Sequence, residues 1–478
     1  MLFNAAALVM AYALPRVLTL GAVVLAARML GAARFGAYGA AGAAAVIMSI
    51  VSTAGMQPLL VREMAREPRA AARLLRSAHL VKTLLNAVML AALWLAAGPV
   101  FGLEGESLTA ALLLGTGYAI GSYAENFAAW FQSVERMHVW TAANTAYGIV
   151  TGITGALLIW WTRSLAWFCA AMILGQLAAA AWLYFAYRRE RPTAQPVAGS
   201  TVDVRALAAA VLPFASAFFA LAVYYKADVL VLARVRPDAD VGIYTAAYKL
   251  VDIAQALALA AILAAYPRLT RAARTRTQAE RWAGTRLAEL ALLLMAPAAA
   301  LAFTLREPIV GALYGAAYSG TAAPTGFLAL ALVPLSLNLL AGYILAAEDR
   351  MRLMASLYAG VGLVKLAGVA LVAPHWGASG TAAVMLGSEL FLCACFQAVL
   401  HRTAHAAAGR RTFLAVAAVG AAGALGSALP IASAPLRGLI VLIAVLAAYA
   451  ALDVLPARER AALRSAVRPR IERPGTPP

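Results

Sequence analysis

Residues 353–373 read LMASLYAGVGLVKLAGVALVA, twenty-one positions with a single charge, Lys365. Arg350 and Arg352 stand at the start of this run, and Pro374 follows it. A hydrocarbon core about 30 Å thick needs about 20 apolar residues at the 1.5 Å rise of an α-helix. The stretch therefore predicts a membrane-spanning helix with basic residues at one end and one unexplained cation near its middle.

The same pattern recurs along the chain. Apolar runs of spanning length centre on 5–28, 36–60, 78–99, 108–132, 140–161, 165–187, 207–232, 242–265, 288–305, 323–347, 379–400, 412–430 and 437–455. With 353–373 they make about fourteen transmembrane helices, an all-α polytopic membrane protein. Composition agrees: 63% of the 478 residues are hydrophobic, 13% are charged and mean hydropathy is +0.80. A soluble domain carries about 25% charged residues. The first apolar run continues at spanning length, so no cleavable signal is expected. Cys169, Cys393 and Cys395 all sit within apolar runs and read as packing residues, not as metal ligands or a disulfide.

Lysine and arginine in alternate connections test the span count. One set of loops, with the tail after 455, holds 27 arginines, and the opposite set holds seven. The asymmetry predicts both termini on the cytoplasmic side of the membrane. The net charge of +18 is spread over these loops without aromatic interleaving. It points to anionic inner-leaflet lipids and not to nucleic acid. Two arginine-rich stretches, 62–77 and 267–287, read as amphipathic helices on that leaflet, or as a partner site. The opposite loops are short, the longest running from Arg306 to Thr321, which excludes a folded domain on that side.

The chain also repeats. Residues 26–41, AARMLGAARFGAYGAA, align with 232–247, LARVRPDADVGIYTAA, at an offset of 206. Arg28 matches Arg234, Gly36 matches Gly242 and Tyr38 matches Tyr244. Each segment joins the first and second spans of a six-span block. The organisation expected is an N-terminal lobe at 1–190, a cytoplasmic linker at 191–206, a second lobe at 207–405, an extra helix pair at 406–455 and a basic tail at 456–478. Two blocks entering the membrane in the same direction are related by an axis along its normal, an arrangement common in transporters.

A charge at mid-depth costs at least about 2.5 kcal/mol, and those that persist usually face a cavity or a partner. Arg16, Lys226, Lys249 and Lys365 are the candidate cavity cations. Asp228, Asp252, Glu125 and Glu389 are candidates for charge balance or ion coupling, while Lys82 is expected to snorkel to the near end of its helix. Lys249 and Asp252 are three apart on one helix face and can pair. Arg16 and Lys365 have no local partner. The excess of cations suggests a hydrated cavity for an anionic substrate, and structural pairing between helices is the competing reading.

No Walker-type loop, metal-spaced histidine cluster or nucleophile elbow occurs. No catalytic residue, metal or cofactor is expected, beyond a possible coupling proton or sodium ion. The chain reads as a carrier and not an enzyme.

Leu30-Gly31, Phe35-Gly36 and Tyr38 resemble the signature after the first helix of oligosaccharide-lipid flippases, the Wzx-like polysaccharide transporters. The run from Gly242 to Leu250 resembles its second-half counterpart. Leu313-Tyr314-Gly315 with Tyr318 resembles the motif before span 10, and Trp376 to Ala383 the loop entering span 12. The resemblance covers about residues 10–400. It implies two six-helix lobes in a V around a central cavity, working by alternating access. It implies an undecaprenyl-pyrophosphate-linked oligosaccharide as substrate, carried from inner to outer leaflet for envelope polysaccharide such as O-antigen, with a polymerase and glycosyltransferases as possible partners. The lipid II flippases are the nearest alternative. Arg16 and Arg28 fit their first helix and fourteen spans suit them, but Ala22-Val23 stands where they carry an Arg-Asp pair. Cation-coupled multidrug exporters of the same superfamily are a third reading.

Overall fold

The computed structural model describes residues 2–53, 55–190, 204–253, 295–348, 350–402, 420–426 and 433–451, with isolated positions 255, 288, 292 and 417. The described residues are helical throughout, without strands. Among the described residues, seven helices are long and apolar enough to cross a membrane, and two of these, Pro15–Thr53 and Met351–His401, each run through two expected spans. The chain is a multi-pass membrane protein. The arginine-rich stretch 267–287, the linker 191–203 and the basic tail lie outside the described residues, as do much of spans 8 and 13 and the start of span 9.

Helix α1 (Leu2–Thr53) joins spans 1 and 2 through a kink at Gly31, where φ is 76°. An L side chain rarely adopts that backbone, so glycine lets the chain turn there without a loop. Span 2 ends at Thr53, short of the expected residue 60, and α2 (Met56–Arg66) starts beyond left-handed Gly55. Pro68 interrupts the helix, and α3 (Ala71–Ala97) follows. The stretch 62–77 is thus the end of one helix and the start of the next. Met56, Leu60 and Met64 bury one face of α2 against Trp130 and Phe131, which leaves Arg62 and Arg66 exposed on the other.

Helix α4 (Gly105–Ser133) opens on a capping box between Glu104 and Ser107, which satisfies two orphan amides. Helices α5 (Met137–Thr162), α6 (Leu165–Glu190) and α7 (Val204–Val235) follow. Pro237 ends α7, and α8 follows, described over 238–253. The longest expected outer loop proves ordered: α10 (Arg306–Tyr314) leads into a 3-10 helix at Ala316–Thr321. Helix α11 (Ala322–Ala347) precedes α12 (Met351–Arg402), whose two spans meet at Gly377.

The chain divides into two compact units. The first comprises Met1–Ile253, Arg306–Leu328 and Leu345–Leu392. Within it α1 packs along α5, where Gly148, Gly152 and Gly155 face Pro15, Leu18 and Ala22. A cluster of Ala27, Phe35, Ala246, Val310, Tyr314 and Tyr318 closes the Gly31 end of this unit. The second comprises Ala254–Leu305, Ala329–Ile344 and Cys393–Pro478. There α9 (Met295–Thr304) packs against residues 423–426 and α13 (Ala434–Ala451). The Thr304 hydroxyl donates to the Gly423 carbonyl at 3.3 Å, so the extra helices have a defined seat.

Candidate functional site

The two repeat segments meet. A Cβ built on Gly36 would lie 1.9 Å from the carbonyl oxygen of Asp238, and one on Gly242 would lie 1.9 Å from that of Ala32. Ala32 and Asp238 are themselves 206 apart. Gly39 abuts the side chain of Thr245, again its own counterpart. Such reciprocal contact is what a local two-fold axis produces. The matched arginines behave alike. Arg28 donates to the carbonyls of Ala312 and Leu313 at the end of α10, and Arg234 to those of Gly98 and Pro99 after α3. Each caps a helix C-terminus belonging to the other repeat, where carbonyls lack partners and the dipole favours a cation. The sequence match exposed the pair but not this role.

The ionisable residues within the spans fall into three groups. The first joins α7 to α8. The Lys226 Nζ stands 3.5 Å from Asp252 Oδ1, and Lys249 Nζ stands 3.2 Å from Asp252 Oδ2. One carboxylate bridges two ammoniums, leaving one net positive charge. All three side chains keep about a quarter to a third of their surface open. Lys226 lies 4.5 Å from the centre of the Tyr248 ring, and Lys249 lies 5.9 Å from that of Tyr38. Tyr118 and Tyr147 complete the electrostatic surroundings of Lys249. Cations over aromatic faces gain about 0.5–2 kcal/mol. Tyr38 was legible as a repeat and signature residue but not as a neighbour of Lys249, because that approach needs α1 and α8 packed.

The second group is closed. Lys365 of α12 and Asp228 of α7 are both 0% exposed in their side chains and stand 2.8 Å apart. Lys365 also donates to the Tyr224 carbonyl at 2.7 Å, and Asp228 accepts from the Tyr244 hydroxyl at 2.7 Å and the Val229 amide at 2.9 Å. Lys365 therefore faces no open cavity in this conformation. It has a partner that the sequence could not supply, because the partner lies on another helix. Glu389 is fully buried in electrostatic reach of Tyr224 and Tyr225.

The third group corrects one expectation. Lys82 does not snorkel: its side chain is wholly buried, and its ammonium pairs with Glu125 at 3.2 Å. The reason is geometric. Helix α3 begins at Ala71, so Lys82 lies three turns in, about 16 Å along the axis, on the face that packs on α4. One turn further, Asn86 bonds Ser52 and Ser122.

Arg16 stands apart from all three. At about 100° per residue it shares a helical stripe with Val23 and Ala27, which pack against α10 and Tyr318. Arg16 itself is exposed. The face that meets the second repeat at the Gly31 end is thus open at Arg16.

Among the described residues, no cluster of histidine, cysteine or acidic side chains is arranged to hold a metal. None of the three cysteines forms a disulfide.

The chain resembles solved transporters over nearly its whole length. The lipid II flippase MurJ in an inward closed conformation matches 97% of this chain and 100% of its own, at 13% identity and a TM-score of 0.74. An inward-facing multidrug resistance transporter of the MATE family, MOP superfamily, matches 82% and 94% respectively, at 12% identity and a TM-score of 0.69. The Vibrio cholerae MATE transporter VcmN in its bent form matches 82% and 94%, at 14% identity and 0.56. These likenesses show the fold. No curated protein matches the sequence. The family model described as polysaccharide biosynthesis protein matches residues 1–273, more than half of the chain. With that match, the chain belongs to the polysaccharide biosynthesis protein family.

Proposed function

We propose that this protein is a flippase that carries an undecaprenyl-pyrophosphate-linked oligosaccharide from the inner to the outer leaflet of the bacterial cytoplasmic membrane, for envelope polysaccharide synthesis. The observation that carries the reading is the half-open pair of lysines, Lys226 and Lys249, within apolar helices. Buried charges that are only structural close up, as Lys365 and Asp228 do. A pair that stays accessible, with one net positive charge, suits a diphosphate. Family membership supports a polysaccharide pathway, and exposed Arg16 extends the positive surface.

In this reading the lobes at 1–190 and 207–405 move against each other, both termini are cytoplasmic, and a polymerase and glycosyltransferases act on either side of the step. A proton or sodium gradient is the candidate energy source, with Asp228, Asp252, Glu125 and Glu389 as candidate coupling groups. The test is a strain that needs this gene for its surface polysaccharide. Lys249→Gln and Arg16→Ala should each abolish or sharply reduce polysaccharide at normal protein levels. Undiminished polysaccharide in both variants would sink the assignment.

A lipid II flippase is the second reading, favoured by the full-length match to MurJ. Rescue of cells depleted of their lipid II flippase would establish it. Raised drug sensitivity on deletion, with surface glycan intact, would instead point to a multidrug exporter.

A further inference from the structure

We infer that Asp252 is a built-in placeholder for the diphosphate, an internal anion that holds Lys226 and Lys249 together until the substrate displaces it; this rests on the reading above. Its two oxygens divide between the two lysines, Oδ1 toward Lys226 and Oδ2 toward Lys249. That is how two oxygens of a phosphate would meet the same pair. The two contacts, 3.5 and 3.2 Å, are longer than the 2.7–2.9 Å of a tight charge-assisted hydrogen bond. The closed pair of Lys365 and Asp228 is tight at 2.8 Å, with further hydrogen bonds on both partners. Asp252 thus makes loose contacts at a part-open place, which a stronger anion can replace.

The placeholder has a purpose in a carrier. Two uncompensated ammoniums in an apolar helix pair are costly when the site is empty. They would also bind a diphosphate equally well at both leaflets, which lowers turnover because a product held too tightly does not leave. An internal carboxylate that returns on release offsets both effects. Asp252 is in this sense a positioning residue, acting through Lys226 and Lys249.

The experiment uses the full chain purified in detergent and farnesyl diphosphate, a soluble polyprenyl diphosphate, as ligand. Asp252→Asn should bind it about fivefold more tightly than the wild type, since a part-exposed ion pair is worth up to about 1 kcal/mol. In cells the same variant should make less polysaccharide, because release slows. A purely structural Asp252 would lose affinity or leave it unchanged. Should Asp252→Asn fail to accumulate, the double variant Lys226→Gln/Asp252→Asn keeps the wild-type net charge of the cluster. It should bind farnesyl diphosphate more tightly than Lys226→Gln alone. Binding by the wild type with no gain in Asp252→Asn, or no gain in the double variant, overturns the placeholder and leaves the proposed substrate standing. No binding by any of the chains overturns both.

Discussion

Gly36 and Gly242 occupy matching places in the two repeats and lie against each other's turns: a Cβ on either would stand 1.9 Å from a backbone carbonyl oxygen of the opposite repeat. Small residues let helices in a membrane approach closely, where packing and weak Cα–H contacts replace the hydrophobic drive. The contact positions what surrounds it. It brings Tyr38 under Lys249 and sets the crossing of α1 and α8 from which Lys226 and Asp252 are reached.

Gly36→Ala and Gly242→Ala should both destabilise the fold, by about 1–3 kcal/mol each, the cost of forcing a methyl group into a packed contact with backbone. Because the contacts are reciprocal, the two losses should be similar. Thermal unfolding in detergent measures them. Tolerance of alanine at either position would contradict the close approach.

The arginine caps give a second prediction. Arg28→Gln and Arg234→Gln each remove a charged donor from helix-terminal carbonyls, worth about 1 kcal/mol at an exposed site. If alternating access opens the Gly31 end, the double variant should open it more often. A cysteine placed at Ala246, now buried in the cluster below the caps, should then react faster with a water-soluble maleimide. An unchanged rate would show that the caps do not hold this end closed.

Lys365 and Asp228 test structural pairing against substrate binding. Lys365→Ala or Asp228→Asn leaves one buried charge or its partners uncompensated, which costs about 3–5 kcal/mol. Either variant should accumulate poorly in the membrane. The double variant Lys365→Met/Asp228→Leu should recover folded protein, since apolar replacement of a buried pair is often neutral. Recovery of fold without recovery of polysaccharide would return these residues to the transport path.

Glu106 carries a pH dependence. Its carboxylate forms two hydrogen bonds with the Arg34 guanidinium, at 2.9 and 2.6 Å, and this holds its pKa below the ordinary glutamate range. A depressed carboxylate contributes stability that is fully present above its unfolded pKa and is lost as pH falls through its folded one. Arg34 also donates to the Arg163 carbonyl at 2.9 Å, so the pair ties α4 to the end of α5. Glu106→Gln should lower the melting temperature slightly at pH 7. The gap to wild type should close below about pH 4, the usual carboxylate region. A gap that persists at low pH would assign the effect to packing.

The sequence by itself determined the helical class, the spans, the loop asymmetry, the repeat and the short list of charges that had no business in an apolar run. All of these are written locally: each span declares its own length and polarity, and desolvation makes every intramembrane charge conspicuous one residue at a time. Even the pairing of Lys249 with Asp252 was readable, because three positions on a helix fix a shared face. What only the tertiary structure decided is how those charges combine. Lys365 meets Asp228, Lys82 meets Glu125 and Lys226 joins Asp252 because particular helix faces pack together, and that choice depends on residues distant in sequence, among them Gly36 and Gly242. Length and polarity belong to a segment, whereas a partner belongs to the packing.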